Sequence, residues 1–184
     1  MLGGMKQLPG LPAALLVFLF SFLLVDGVGA APGAPPTLAV LDLELTGDTG
    51  GPPFEAEHAA RLRMASDLLR QELERSGLYS VVDLTSAREL IAKLQSQQRY
   101  LHDCNGCDLE VGRKLGAAQV LVAWVDRVSG LILTLTFEIH EVASSRILLR
   151  KSFDFRGDND AAWQHAIRYM VRDLKSTAAA PAAQ

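Results

Sequence analysis

The sequence predicts an α/β domain of the α+β kind: a two-layer mixed sheet with helices on one face and a C-terminal antiparallel meander closed by a helix. Two observations lead to this prediction. Strand and helix patterns alternate through the first half of the chain, and three strand patterns follow one another through the second half. Alternation favours parallel pairing, whereas consecutive strands joined by short turns favour hairpins.

The first half opens with an apolar run and continues with a long amphipathic segment. The run from Thr37 to Leu45, TLAVLDLEL, is nearly continuously apolar and predicts a central strand covered on both faces. From Glu57 to Ser76 apolar residues recur at helical spacing, and Gly77 follows as a glycine just past a helix should. These signals predict a strand and then a long helix.

A second strand and two shorter helices complete this half. The segment LYSVVDL predicts a strand, and TSARELIAKLQSQ predicts a helix whose free amides Thr85 or Ser86 can cap. A third helix is predicted from Leu109 to Leu115, ending at Gly116.

Three strand patterns fill the chain from Gln119 to Arg156: QVLVAWVDRV, LILTLTFEIHEV and RILLRKSFDFR. The middle one alternates cleanly, so one of its faces is expected to pack and the other to be partly solvated. A last helix begins near Asp160 and carries apolar residues three and four positions apart, which predicts that it covers the sheet.

The two ends of the chain predict its division into parts. Residues 1–30 have the pattern of a secretory signal peptide: one lysine, an apolar run shorter than a bilayer span, and small residues up to Ala30. We expect cleavage near Ala30 and a periplasmic product with no membrane contact. Residues 31–36 then form a Pro/Gly/Ala linker, 37–176 a single domain, and 177–184 a disordered tail.

The charge of the chain limits the classes of partner. The formal net charge is -3, and the predicted signal peptide removes one lysine and one aspartate, so the mature chain keeps this value. No basic surplus remains to attract nucleic acid or an anionic membrane surface. The charge itself points to no partner, and the partner that we expect, another periplasmic or envelope protein, rests instead on the export signal and on the lack of a recognisable catalytic set.

Several motifs resemble known families. The order LAVLDLE, LERSGLYSVVDLTSARELI and CNGCDLEVGRKLGAAQVLVAWV resembles the small α/β domain at the amino end of TolB and in the curli secretion lipoprotein. The segments CNGCDLEVGRKLGA, VDRVSGLIL and FDFRGDNDAAW resemble more specifically a family of uncharacterised secreted proteobacterial proteins, a domain of unknown function. The resemblance implies a TolB-N-like fold without the TolB propeller or its function. It also implies an association with quinoprotein-type oxidation systems.

The pair Cys104 and Cys107 contains both cysteines of the chain and has three interpretations. A structural disulfide is favoured, because exported thiols tend to oxidise. A thiol-disulfide redox role would need a lowered thiol pKa, which Asp103 and Asp108 oppose. A metal site could use His102 with both sulfurs, but structural zinc sites normally need a second ligand pair.

The segment FDFRGDNDAAW contains the other candidate site. In the structural interpretation it is a strand end, a turn at Gly157, and a helix capped by Asn159 or Asp160, with Trp163 buried against the sheet. In the functional interpretation its charged side chains and an exposed edge of the tryptophan contact a partner or an anion. The candidate binding residues are Asp154, Arg156, Asp158, Asp160 and Trp163.

The function predicted from these observations is an exported, non-enzymatic binding or accessory module. No set of acid, base and nucleophile is recognisable, and His58, His140 and His165 are interpreted as isolated surface residues. We therefore predict no catalytic residues, no metal site and no cofactor. The alternatives are a thiol-disulfide redox protein using Cys104 and Cys107, or a carrier of a small ligand or metal.

Overall fold

The computed structural model describes residues 33–179, and the predicted signal peptide and its cleavage position lie outside these residues. The described part contains six strands and four α-helices. The strands are β1 (Thr37–Val40), β2 (Glu44–Gly47), β3 (Ser80–Val82), β4 (Gln119–Arg127), β5 (Ile132–Glu141) and β6 (Arg146–Arg156). The helices are α1 (Glu55–Ser76), α2 (Arg88–Gln97), α3 (Cys107–Leu115) and α4 (Asp160–Ala179). None of these helices is both long and apolar enough to cross a bilayer.

The strands form one mixed sheet in the order β3-β1-β4-β5-β6, and β2 also pairs with β4. The pairs β1–β3, β1–β4 and β2–β4 are parallel, whereas β4–β5 and β5–β6 are antiparallel. The predicted fold class is confirmed: a mixed sheet with a C-terminal antiparallel meander closed by α4.

Helices cover both faces of the sheet, which differs from the prediction of two layers with helices on one face. Leu38 and Val40 of β1 belong to the core under α1 and α4, which we call core 1. Ala39 and Leu41 belong to the core under α2 and α3, which we call core 2. Because the side chains of β1 are apolar on both faces of the sheet, they are all buried only if helices pack on each face.

The predicted strand from Thr37 to Leu45 is interrupted in the structure. Its two halves, β1 and β2, lie one after the other along the same side of β4. Between them the amide of Leu43 donates to Ser66 Oγ at 2.9 Å, and Arg70 Nε donates to the carbonyl of Val40 at 3.1 Å. Side chains of α1 therefore satisfy backbone groups that the strand ladder leaves unpaired.

The ends of the helices follow the predicted signals with small shifts. Gly77 ends α1 in the left-handed conformation, with φ 71°. The helix predicted from Leu109 begins two residues earlier, at Cys107. Neither Thr85 nor Ser86 caps α2; Asp83 Oδ1 instead accepts the amide of Thr85, at the start of a short 3-10 turn. Helix α4 begins at Asp160 and continues to Ala179, beyond the predicted domain end at residue 176.

Candidate functional site

The structure separates the five predicted site residues into two groups. Asp154 and Arg156 lie on β6 and are exposed. Asp158 and Trp163 lie together in a buried polar cluster beyond the end of β6, and Asp160 stands at its rim as the first residue of α4. The segment thus does not form one continuous binding surface.

The carboxylate of Asp158 lies at the centre of the buried cluster. Its Oδ1 accepts hydrogen bonds from Arg61 Nη1 at 2.8 Å and from Trp163 Nε1 at 3.1 Å. Its Oδ2 is bonded to Arg127 Nε at 2.7 Å and to His58 Nε2 at 3.1 Å. We call these residues the Asp158 cluster: His58, Arg61, Arg127, Asp158 and Trp163.

Electrostatics in the Asp158 cluster favour the ionised forms of Asp158 and Arg61. Burial alone would raise the pKa of Asp158, but hydrogen bonds from Arg127 and His58 and the charge of Arg61 outweigh it, so the pKa is lowered. Burial likewise opposes the charge of Arg61, yet its hydrogen bonds to Glu57 and Asp160 raise the pKa of Arg61 above its ordinary value. The cluster is a satisfied ionic network, not a carboxyl group prepared for proton transfer.

Trp163 is buried, so it has no exposed edge with which to contact a partner. Only 1% of the residue is exposed, and its ring packs edge-on against Phe155 with centroids 6.1 Å apart. Asn159 Oδ1 accepts the amide of Ala162 at 3.0 Å and caps α4. The functional interpretation is therefore wrong for Trp163, and this part of the segment has the strand end, turn and capped helix of the structural interpretation.

Asp154 and Arg156 lie on the free edge of the sheet. The amide of Gly157 donates to the carbonyl of Leu131, so the neighbouring pair Ile132 and Arg156 is a non-hydrogen-bonded pair of the antiparallel ladder. Every second residue back along β6 then directs its N–H and C=O away from β5. These residues form what we call the β6 edge: Arg150, Ser152, Asp154 and Arg156.

Cys104 and Cys107 form a disulfide, with their Cα atoms 5.6 Å apart. His102 lies two residues before Cys104, and its Nδ1 is bonded to Glu44 Oε2 at 2.5 Å. The His102 ring stacks on Trp124 with centroids 4.2 Å apart. Among residues 33–179, no three or more His, Cys, Asp or Glu side chains are grouped so that they could hold a metal ion.

The segment after the ring is anchored by a second histidine. His140 Nδ1 is bonded to Asp108 Oδ2 at 2.6 Å, and its Nε2 to Glu138 Oε2 at 2.7 Å. Glu138 Oε1 also pairs with Arg150 Nη1 at 3.0 Å. Both ring nitrogens of His140 thus lie within hydrogen-bond distance of a buried carboxylate.

Sequence reasoning missed these pairs by interpreting the histidines as isolated. His58 is 5% exposed and paired with Asp158, and His140 lies between two buried carboxylates. One signal was available in the sequence: Glu138 and His140 lie two residues apart on the polar side of an alternating strand. Their common partner, Asp108, comes from 32 residues away and could not be assigned.

Comparison with known proteins identifies the family. The family model DUF3280, described as a protein of unknown function (DUF2380), matches residues 36–174. The chain belongs to this family. This confirms the resemblance to an uncharacterised family. Because the family's function is unknown, membership assigns no role to any residue of this chain. No curated protein matches the chain.

Three solved structures with a similar fold are distant from this chain in sequence. The LpoB C-terminal domain from Salmonella enterica is 18% identical with a TM-score of 0.45, covering 70% of this DUF3280 chain and 85% of that one. The PelC dodecamer from Paraburkholderia phytofirmans is 14% identical with a TM-score of 0.48, covering 80% and 90%. TolB from Acinetobacter baumannii, 11% identical with a TM-score of 0.44, is covered over 30% of its length and 80% of this chain. At these identities the likeness concerns the fold alone.

Proposed function

We propose that the chain is an exported, non-enzymatic module that binds an extended segment of another envelope or periplasmic protein along the β6 edge. One observation carries this proposal: β6 is the longest strand, with eleven residues, and stands last in the sheet order. Within residues 33–179 no strand pairs with its outer side. A long edge with free N–H and C=O groups is a template for an added strand.

The charge of β6 indicates the chemistry of the partner segment. The strand contains Arg146, Arg150, Lys151 and Arg156 against a single acidic residue, Asp154, although the whole chain is net negative. Arg146 and Arg150 keep 70% and 62% of their side chains exposed while paired with acidic residues of β5. An extended segment with acidic side chains would therefore be favoured.

The location of this module follows from the amino-terminal sequence. We infer that the signal peptide is cleaved near Ala30 and that residues 31–184 reside in the periplasm. There the chain would assist an envelope complex or a quinoprotein-type oxidation system. Mass spectrometry of the exported protein should give a mature chain that begins at Ala31, and a retained residue 1–30 segment would overturn this assignment.

The strand-addition proposal is tested with two variants of one residue. Ser152→Pro removes an outward N–H but no bond of the β5–β6 ladder, and proline is tolerated where an edge N–H faces solvent. Ser152→Ala is the matched control, because it removes the hydroxyl that contacts Thr136 Oγ1 at 2.8 Å and keeps the N–H. A photo-crosslinking amino acid replaces Leu148, which is exposed beside this edge.

In the exporting bacterium, we expect a cross-link to one distinct envelope protein in the Leu148 background and with Ser152→Ala. Ser152→Pro should abolish it while the melting temperature stays within a few degrees. Arg156→Glu, which leaves the backbone unchanged, should weaken the same cross-link. An undiminished cross-link in Ser152→Pro, or none in the parent protein, would contradict binding at the β6 edge.

A further inference from the structure

The residues of the β6 edge carry opposite charges in a symmetric order. Their side chains project on the face of the sheet away from core 1, since the alternate residues of β6 pack against that core. Arg150 and Asp154 lie two residues to either side of Ser152. A strand whose opposite charges are placed symmetrically about one residue can pair with an antiparallel copy of itself.

Antiparallel pairing of two β6 strands about Ser152 matches charge and backbone together. Ser152 then faces Ser152 of the second copy, and each Arg150 faces Asp154 of the second copy. These residues all direct N–H and C=O outward, so the facing residues can exchange both backbone hydrogen bonds. Opposite charges that face each other across an antiparallel pair stabilise it.

Neighbouring registers lose this match. Pairing centred on Phe153 would place Arg150 opposite Arg156, which is repulsive. Pairing centred on Lys151 would leave Asp154 without a facing charge. In the register centred on Ser152, no two like charges face each other along β6, so the charges of the strand select this register.

Both charged side chains can form the new contact and keep the contacts that they have. Arg150 is paired with Glu138 at 3.0 Å and keeps 62% of its side chain exposed, and a guanidinium has five N–H donors. Asp154 Oδ1 accepts the hydroxyl of Thr134 at 2.8 Å, and an ionised carboxylate can accept about four hydrogen bonds. The pairing therefore requires no rearrangement of the open face of the sheet.

The opposite edge of the sheet does not offer a similar template. Strand β3 has only three residues. The N–H of Ser80 donates to the carbonyl of Pro36 beside β1, so the N–H of the next residue, Val81, points outward. Glu74 Oε2 accepts that N–H at 2.7 Å. A twofold interface uses the same surface on both copies, so association through β6 closes at two chains.

We propose that the β6 edges of two copies pair in the register centred on Ser152 and form a twofold dimer with one continuous sheet. This inference rests on the proposed function, because it uses the same outward backbone groups, and it adds a regulation of that site. The second copy covers an edge that would otherwise pair with unsuitable strands. A more acidic segment displaces it, because β6 contains four basic residues against one acidic residue.

Sedimentation velocity of the exported protein over a dilution series tests the dimer. We expect a reversible monomer–dimer equilibrium, without larger species, in the parent protein and in Ser152→Ala. Ser152→Pro should stay monomeric, because it removes one central N–H from each copy. Asp154→Lys makes both facing charge pairs repulsive and should weaken the dimer about tenfold or more. Asp103→Lys, the same change at an exposed residue far from β6, should leave the dimer unchanged.

Cysteine variants test the register, since the two native cysteines are joined to each other. Facing residues of a hydrogen-bonded pair have Cα atoms about 5.5 Å apart, a distance that a disulfide spans. Ser152→Cys should therefore form a covalent dimer on mild oxidation. Arg150→Cys and Asp154→Cys should each form none alone, because identical residues are then about 14 Å apart along the strands. Mixed together, these two variants should cross-link to each other.

Self-pairing is overturned if the parent protein stays monomeric at all concentrations, if Ser152→Pro dimerises as well as the parent, or if Asp154→Cys cross-links to itself as readily as Ser152→Cys. The photo-crosslinking residue at position 148 separates this inference from the proposed function. A monomeric chain that still cross-links to an envelope protein would refute self-pairing alone, and a dimer without that cross-link would refute the proposed function alone. Asp154→Lys should weaken the dimer and retain the envelope cross-link.

Discussion

The carboxylate of Asp158 joins side chains from α1, β4 and α4, and only 9% of it is exposed. Asp158→Asn would remove the negative charge that Arg61 and Arg127 share. Removing one partner of a buried ionic network typically costs about 3–5 kcal/mol. We expect the variant to lose that amount of unfolding free energy in urea. Asp154→Asn, at an exposed carboxylate with one hydrogen bond from Thr134, should lose less than about 1 kcal/mol.

The lowered pKa of Asp158 also predicts a pH dependence. In acid the unfolded chain takes up a proton at an ordinary aspartate pKa, about 3.9, whereas the folded chain takes it up only at lower pH. The stabilisation is thus complete above about pH 4 and is lost as pH falls through the folded-state pKa. Urea unfolding between pH 2 and pH 6 should show a steeper acid loss in the parent protein than in Asp158→Asn. Equal slopes would show that Asp158 is not preferentially ionised in the folded state.

At the scale of elements, two histidine–carboxylate contacts and one disulfide hold the loop that leads into α3. Closing a ring of four residues stabilises by only about 2 kcal/mol in the loop-entropy treatment. His140→Ala would leave Asp108 and Glu138, 4% and 7% exposed, without the imidazole ring that contacts both carboxylates. We therefore expect His140→Ala to lower the unfolding free energy more than the double variant Cys104→Ser with Cys107→Ser. The reverse order in urea unfolding would make the disulfide the main anchor.

The elements also show where sequence reasoning succeeds and where it stops. Periodicity predicted the meander and the start of α4 at Asp160, because a strand or helix face is a local property of the chain. It missed the break between β1 and β2, since Ser66 and Arg70 satisfy that backbone from another element. It left open whether an edge of Trp163 is exposed, because Arg61, which lies over the Trp163 ring and pairs with Asp158, is about one hundred residues away.

At the scale of the whole molecule, the two cores are joined by the strands that they share. Alternate residues of β1 and β4 belong to core 1 and core 2. Loss of the helices from either face would therefore expose apolar side chains of strands that also support the other core. A domain of this size with shared strands should unfold in a single cooperative transition.

Two identical substitutions test this coupling. Leu69→Ala of α1 opens core 1, and Leu94→Ala of α2 opens core 2. Each should cost about 2–5 kcal/mol, with Leu94→Ala nearer the lower end because 7% of Leu94 is exposed.

Far-ultraviolet circular dichroism and tryptophan fluorescence should give coincident urea transitions in both variants. Hydrogen exchange near the transition should lose protection in α1 and α3 together. Separate loss of protection in α2 and α3 in Leu94→Ala, with α1 still protected, would mean that core 2 is an independent unit resting on the sheet.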